Sequence, residues 1–264
     1  MRLILILVGA LWGAWSGLLL PRAAHRLSVD PEEPWNGKCP DGHPITGTFD
    51  GWLGRARCTD TTGRYAYGTT PRPENLAPTP CGPYGPRTPA VSTATALVCA
   101  TLAAATGPRP ELVVWLLAAP VAVLLALVDL RVHRLPDVLT LPLAAALLAL
   151  LGIAAALPAD AGSWPTALYG GLALGATYEL LYLINPAGMG FGDVKLALGL
   201  GTALGWYGWP VLVTGAFAGV LYGALYGLGM VALRRAGRKT AIPLGPFMLG
   251  GAFTGLLLGA FAVS

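Results

Sequence analysis

Eight runs of apolar residues, at 3–20, 90–106, 111–128, 139–157, 165–184, 194–206, 209–231 and 243–263, dominate this chain and restrict it to a membrane fold. Runs of about 17 to 25 predominantly apolar residues are long enough to cross a bilayer core. The sixth run is the shortest and the weakest of the eight. Only 11% of the residues are charged, against about 25% in a typical soluble domain, so little of the chain is suited to a water-facing surface. The expected architecture is all-α: a polytopic transmembrane bundle of about eight helices with an irregular cytoplasmic loop inserted after the first.

A formal charge of +4 normally suggests an anionic partner, but in a membrane chain the placement of the cations says more than their sum. With eight spans, the stretches 21–89, 129–138, 185–195 and 232–242 fall on one side. They hold 15 of the 17 Lys and Arg residues, leaving Arg2 and Arg109 on the other. Cytoplasmic loops carry the excess of Lys and Arg, so these stretches are expected in the cytoplasm and both termini outside. The expected setting is a membrane, with lipid around the bundle and no nucleic-acid partner. Arg2 before the first run and Ala23 and Ala24 after it also fit a cleaved signal peptide. That alternative exports an arginine-rich segment and is the less favoured.

The chain divides into a first span at 1–20, a loop at 21–89 and a helical core at 90–264. The loop is rich in Pro, Gly, Thr and Arg and has no sustained period, with short strands expected near 63–69. In a reducing cytoplasm its Cys39, Cys58 and Cys81 are not expected to form a disulfide framework, and Cys99 within a span is expected as a small buried hydrophobe. In the core, consecutive turn formers such as Thr106-Gly107-Pro108-Arg109-Pro110 separate the runs. Small residues, as in Gly170-Gly171 and Gly215-Ala216-Phe217-Ala218-Gly219, allow close helix packing.

An ionisable group at membrane depth costs about 2.5 to 3.5 kcal/mol on insertion scales and tends to mark function. Four acids in or beside the runs therefore stand out: Asp129, Asp137, Glu179 and Asp193. Asp129 ends the third run, and Asp193 opens the sixth in Gly188-Met189-Gly190-Phe191-Gly192-Asp193-Val194-Lys195-Leu196. Both are expected at the cytoplasmic face. Two carboxylates brought close cannot easily both ionise, so one holds a proton while the other acts as base. Gly190 and Gly192 can adopt positive φ and admit another backbone closely. The plainer readings are helix capping for Asp193 and pairing with Arg131 or Arg134 for Asp129. Glu179 is expected to meet a polar group inside the bundle, and His133 to be an interfacial residue.

These residues resemble the type IV prepilin peptidases, bacterial members of the Gly-x-Gly-Asp membrane aspartyl proteases. The resemblance rests on Asp129 followed by a basic stretch and Leu135-Pro136-Asp137, on the nine-residue run from Gly188, and on Ile242-Pro243-Leu244-Gly245-Pro246-Phe247. It covers the chain from about residue 120 onward. It implies an integral endopeptidase of the bacterial inner membrane that removes the leader of type IV prepilins or pseudopilins at the cytoplasmic face, with Asp129 and Asp193 catalytic and no cofactor for proteolysis. Lys195 matches the family's Lys after the catalytic Asp, and Asp137 the second acid of its first motif. Pro243 and Gly245 match the last-span motif, where a structural role in shaping the helix near the site is favoured. The competing class is a small membrane transporter using the two aspartates to bind a proton or cation at a helix break.

The loop departs from the family. Many members carry two Cys-x-x-Cys pairs there that bind zinc, in a region needed for N-methylation with S-adenosylmethionine. Here Cys39 and Cys58 stand with Gly42 and Thr61 at the second positions, so a four-thiolate site cannot form from them. A substitute set of Cys39, His43, Cys58 and Cys81 is chemically conceivable, since Cys and His are both zinc ligands. The Cys39 to His43 spacing is a weak signal, and neither a metal site nor methylation is assigned from it.

Overall fold

The apolar runs become helices that alternate in direction between two ends of a bundle. A computed structural model describes residues 1–30, 33–58, 82–186, 188–233 and 243–263. The long helices are α1 (Arg2–Leu27), α3 (Thr88–Thr106), α4 (Glu111–Val132), α5 (Asp137–Ala155), α6 (Trp164–Ile184), α7 (Phe191–Gly205), α8 (Trp209–Ala232) and α9 (Gly245–Ala262). A four-residue turn, α2 (Thr48–Gly51), lies in the loop. Seven of the long helices are long and apolar enough to cross a membrane. The chain is thus a multi-pass helical bundle whose outer faces expose large apolar side chains such as Leu7, Leu11, Val113, Ile153, Phe217 and Leu258. Against lipid such exposure is the low-energy arrangement.

The eighth, α7, has 15 residues and a length of about 22 Å at 1.5 Å per residue, short of a hydrocarbon core of about 30 Å. It nonetheless links the two ends of the bundle. Its first turn carries Asp193, and just past its last turn the carbonyl of Trp206 accepts a 3.0 Å hydrogen bond from Ser163 N, in the α5–α6 connection at the far end. Almost all of α7 from Asp193 onward is buried, so neighbouring helices and not lipid satisfy its short length.

Small residues set the helix spacing. On α1, Gly9, Gly13 and Gly17 recur every four residues, one turn apart, and face Cys99, Thr95 and Ser92 of the antiparallel α3. A Cβ on Gly13 would lie 2.5 Å from the Thr95 carbonyl oxygen, so any larger residue forces the helices apart. Gly170 and Gly201 join α6 to α7 in the same way, as do Gly215, Gly219 and Gly251 between α8 and α9. Where lipid removes the hydrophobic drive between helices, close backbone approach of this kind supplies the dispersion energy of association.

α1 runs past its expected end at residue 20 to Leu27, and this extension holds the loop. Arg22 donates to the carbonyls of Arg55 (3.0 Å) and Thr46 (2.9 Å), and Arg26 lies over the Trp52 ring at 4.4 Å. The strands expected near 63–69, together with Thr61 and Cys81, lie outside the described residues.

The end opposite the loop carries a charge pair that the reading of acids beside the runs passes over. Glu111 opens α4 fully buried, with Arg109 Nε 3.6 Å from its Oε1. Arg109 also donates to the carbonyls of Ala105 (3.2 Å) and Ala260 (2.8 Å), tying α3 and α4 to the end of α9.

Candidate functional site

Four helix ends converge on one cavity at the end of the bundle that carries the loop. The last turn of α4 brings Asp129, and α5 begins four residues after His133 with Asp137. The first turn of α7 brings Asp193, and the first residue of α9 is Gly245. Asp129 and Asp193, 64 positions apart in the sequence (193 − 129), both line a cavity of about 180 Å³ with His133, Arg134, Gly190 and Lys195. That is room for roughly six waters at about 30 Å³ each. The two carboxylates are close enough to interact electrostatically.

Each is held by a backbone amide. Asp129 is 3% exposed, and its Oδ2 accepts a 3.0 Å hydrogen bond from Gly245 N. Neither Arg131 nor Arg134 takes the partner role that the plainer reading offered. A Cβ on Gly245 would lie 2.8 Å from that same Oδ2, so any larger residue must displace the carboxylate. The helix beneath Asp129 ends sharply: His133, with φ of +51°, turns left-handed and donates to the Asp129 carbonyl at 2.9 Å. His133 is exposed at the cavity rim, as expected of an interfacial residue.

Asp193 is 7% exposed and occupies the third helical position of α7, not the cap. The cap is Gly190, whose N–H donates to Asp193 Oδ2 at 3.1 Å, while Asp193 N returns a 3.0 Å bond to the Gly190 carbonyl. This reciprocal pair satisfies helix-end groups that otherwise lack partners. One oxygen of Asp193 is thereby committed to structure, which fixes the direction of the carboxyl group.

Of the two freedoms open to these glycines, positive φ and close backbone approach, the structure uses the second. Gly190 has φ of −78°, and Gly192 lies within the helical first turn. Gly192 matters for closeness: a Cβ there would lie 2.9 Å from Leu135 Cβ and 3.2 Å from the Leu135 carbonyl oxygen. Buried Leu135 also lies 3.4 Å from where a Gly245 Cβ would be, so one side chain wedges between the two glycines and spaces α7 from α9. At Gly190 the space is open, with Asp193 Oδ2 the nearest group at 3.6 Å.

Lys195 and Asp137 form an ion pair of 2.6 Å across the rim, with Lys195 also 4.8 Å from the centre of the Phe191 ring. The Asp137 side chain is 61% exposed. Asp137 follows the cap position of α5, held by Pro136, rather than capping the helix itself. Pro243 precedes α9 by two residues, and Ile242 lies outside the described residues. Glu179 is half-buried on α6 and does not line the cavity. Leu135 and Phe191 were passed over in sequence although both stand inside the quoted motifs; their signal was position between the acids and glycines.

Away from this cavity, Cys39, His43 and Cys58 come together in the loop with their ligating atoms within 4.8 Å of one another. Cys81, the fourth member of the substitute set, is outside the described residues.

The chain is similar in sequence to known proteins. A family model described as the type IV leader peptidase family matches residues 112–228, a stretch that contains Asp129, Asp137, Asp193 and Lys195. The chain is 36% identical over 180 residues to a prepilin leader peptidase/N-methyltransferase of Aeromonas hydrophila, covering 67% of this chain and 60% of that protein. It is 35% identical over 180 residues to the protein so named in Pseudomonas aeruginosa, covering 66% and 59%. Against its Pseudomonas putida namesake it is 30% identical over 256 residues, covering 92% of this chain and 87% of the relative. The chain thus spans about 60% of the length of the Aeromonas relative and most of the P. putida one. No solved structure is a significant match. The chain belongs to the type IV leader peptidase family.

Proposed function

We propose that the chain is an aspartyl endopeptidase of the inner membrane that removes the leader of type IV prepilins or pseudopilins, with Asp129 and Asp193 as its catalytic pair. The observation that carries this reading is the convergence of the two buried carboxylates, from separate helices, on one cavity of about 180 Å³ at the end of the bundle.

The chemistry follows from two acids that share one proton. The ionised member takes a proton from a water molecule, whose oxygen adds to the scissile carbonyl carbon. The protonated member donates a hydrogen bond to the oxygen that becomes negative. Collapse of the tetrahedral intermediate breaks the C–N bond, and a carboxyl proton passes to the leaving amine. The amides of Gly245 and Gly190 fix one oxygen of each acid and leave the other for water and substrate. Open space at Gly190 gives an extended substrate backbone a place beside Asp193. Lys195 and Asp137 hold α7 to α5 at the rim and act as positioning residues.

The cavity is proposed to face the cytoplasm. Arg22, Arg26, Arg131, Arg134 and Lys195 cluster at its end of the bundle, and cytoplasmic ends carry such cations. A site at helix ends also suits a soluble leader better than the midplane site of a transporter does. The reading is confined to proteolysis; the relatives' names include an N-methyltransferase activity that it does not extend to this chain.

The test is co-expression of the full chain with a prepilin, followed by mass spectrometry of the pilin N terminus. A product trimmed at the single bond that joins the leader to the mature pilin is expected from the wild type. Uncut pilin at full expression of the chain contradicts the proposal.

A further inference from the structure

We infer that Arg55, Arg57 and Arg87 form a binding site for the phosphate headgroup of an anionic phospholipid, where the loop meets α1 and the start of α3. A cavity of about 610 Å³ lies there, walled by the three arginines together with Leu18, Tyr84 and Thr88. Sites that hold organic ligands span about 300 to 1,000 Å³. The stretch 54–89 carries five arginines, at 55, 57, 64, 72 and 87, against two acids, Asp60 and Glu74. Whatever the pairing within it, the stretch keeps positive charge for an outside anion. The ion pairs among the described residues, Arg109 with Glu111 and Lys195 with Asp137, draw on none of the three arginines.

The backbone builds the site. Pro21 lies inside α1 and cannot donate to its hydrogen-bond ladder, and the loop is stitched to the helix at that point. Gly54 N donates to the Leu19 carbonyl at 3.0 Å, Arg22 N to the Gly54 carbonyl at 3.2 Å, and Arg22 Nε to the Arg55 carbonyl at 3.0 Å. A tight turn follows, in which Arg57 N donates to the Arg55 carbonyl at 2.8 Å. It buries Ala56 against Tyr84 and leaves Arg55 and Arg57 exposed on either side. Tyr84 N donates to the Ala56 carbonyl at 3.0 Å, and a bridge joins Arg57 to Pro83, so the returning segment is fixed beside the first. Gly85, with φ of +80°, packs close enough that a Cβ would lie 3.2 Å from the Pro21 carbonyl oxygen. Arg87 then precedes α3, whose start has no side-chain cap and adds its positive end to the same cavity.

The position selects a lipid over a soluble anion. Leu18 shares a face of α1 with Leu11 and Trp15, which are 71% and 56% exposed on the outer surface of the bundle. An acyl chain lying along that face brings its phosphate to the level of the arginines. Basic pockets beside membrane helices recognise anionic headgroups in this way. Guanidinium suits phosphate because it donates two parallel hydrogen bonds to one group. A lipid held there ties the loop to the membrane surface.

The test reads lipid rather than cleavage and does not depend on the protease assignment. Full-length protein in mild detergent, stripped of lipid and titrated with phosphatidylglycerol, is expected to retain one tightly bound lipid per chain by native mass spectrometry. Phosphatidylcholine is expected to bind at least tenfold more weakly. Arg55→Gln and Arg87→Gln each weaken phosphatidylglycerol binding by roughly fivefold, the size of one surface cation's contribution. Arg2→Gln, at the far end of α1, leaves it within twofold. In the wild type, which needs no variant, phosphatidylglycerol with a photoreactive headgroup is expected to crosslink to peptides containing 55–57 or 83–89. Inorganic phosphate in large excess is expected to leave the lipid in place. Equal retention of the two lipids, binding unchanged in both arginine variants, crosslinks confined to other segments, or displacement by inorganic phosphate, the mark of a site for a soluble anion, would each overturn the inference.

Discussion

The Gly245 amide, at the first residue of α9, donates a 3.0 Å hydrogen bond to Oδ2 of Asp129, at the last turn of α4 and 116 positions earlier in the chain. The bond orients a carboxylate that is otherwise almost completely enclosed. A side chain at position 245 would crowd the same carboxylate, because a Cβ would stand 2.8 Å from the oxygen that the amide serves.

Gly245→Ala is therefore expected to lower kcat for leader cleavage at least tenfold, equivalent to about 1.4 kcal/mol of barrier, without preventing membrane insertion. Gly250→Ala, one to two turns along the same helix, is the control. Its added methyl meets Tyr222 at an ordinary 3.7 Å, and activity within twofold of wild type is expected. Equal loss in both variants, measured at matched protein level, counts against the role given to the Gly245 contact.

The Lys195–Asp137 pair is short at 2.6 Å, yet the Asp137 side chain is 61% exposed, and exposed ion pairs contribute only about 0.2 to 1 kcal/mol. Asp137→Asn is expected to slow cleavage by roughly fivefold or less. A loss on the scale of the Asp129 and Asp193 variants would instead give Asp137 a direct part in the chemistry. Steady-state rates for the three variants side by side decide between these outcomes.

The glycines of α1 give a stability prediction. Gly13→Leu drives a side chain into the α3 backbone at Thr95, while Gly229 of α8 has open space at its Cβ position. Overpacking of a tight contact costs about 1 to 3 kcal/mol. Gly13→Leu is expected to lower the thermal midpoint in detergent by several degrees, and Gly229→Ala to leave it within about one degree. No difference between the two would remove α1–α3 contact as a determinant of stability.

Much of this was legible in the residues. The apolar runs gave all eight long helices, because lipid demands length and composition that little else in a sequence imitates. Asp129 and Asp193 stood out since charge beside apolar runs is costly. What stayed hidden depended on approach between distant segments. Nothing local to Gly245 announces Asp129 as its partner, and Leu135 reads as one more leucine until the two glycines close on it. Glu111 was passed over at the edge of a run, where an acid in a first helical turn looks unremarkable. Gly190 and Gly192 do not use the positive φ open to them, because the helix starts one residue after Gly190, with capping bonds that need only ordinary backbone angles there. In the loop, spacing alone made Cys39 and His43 a weak signal, since the third donor arrives from 15 residues beyond His43.

The central claim is that Asp129 and Asp193 act as one unit. It is tested most directly by single-turnover cleavage of a prepilin by purified wild type, Asp129→Asn, Asp193→Asn and the double variant. Each single change is expected to reduce the rate on the order of a thousandfold or more, and the double change to be no worse than either, as for groups that work together. Cleavage within tenfold of wild type by either single variant, in protein that is folded and membrane-embedded, would contradict the account.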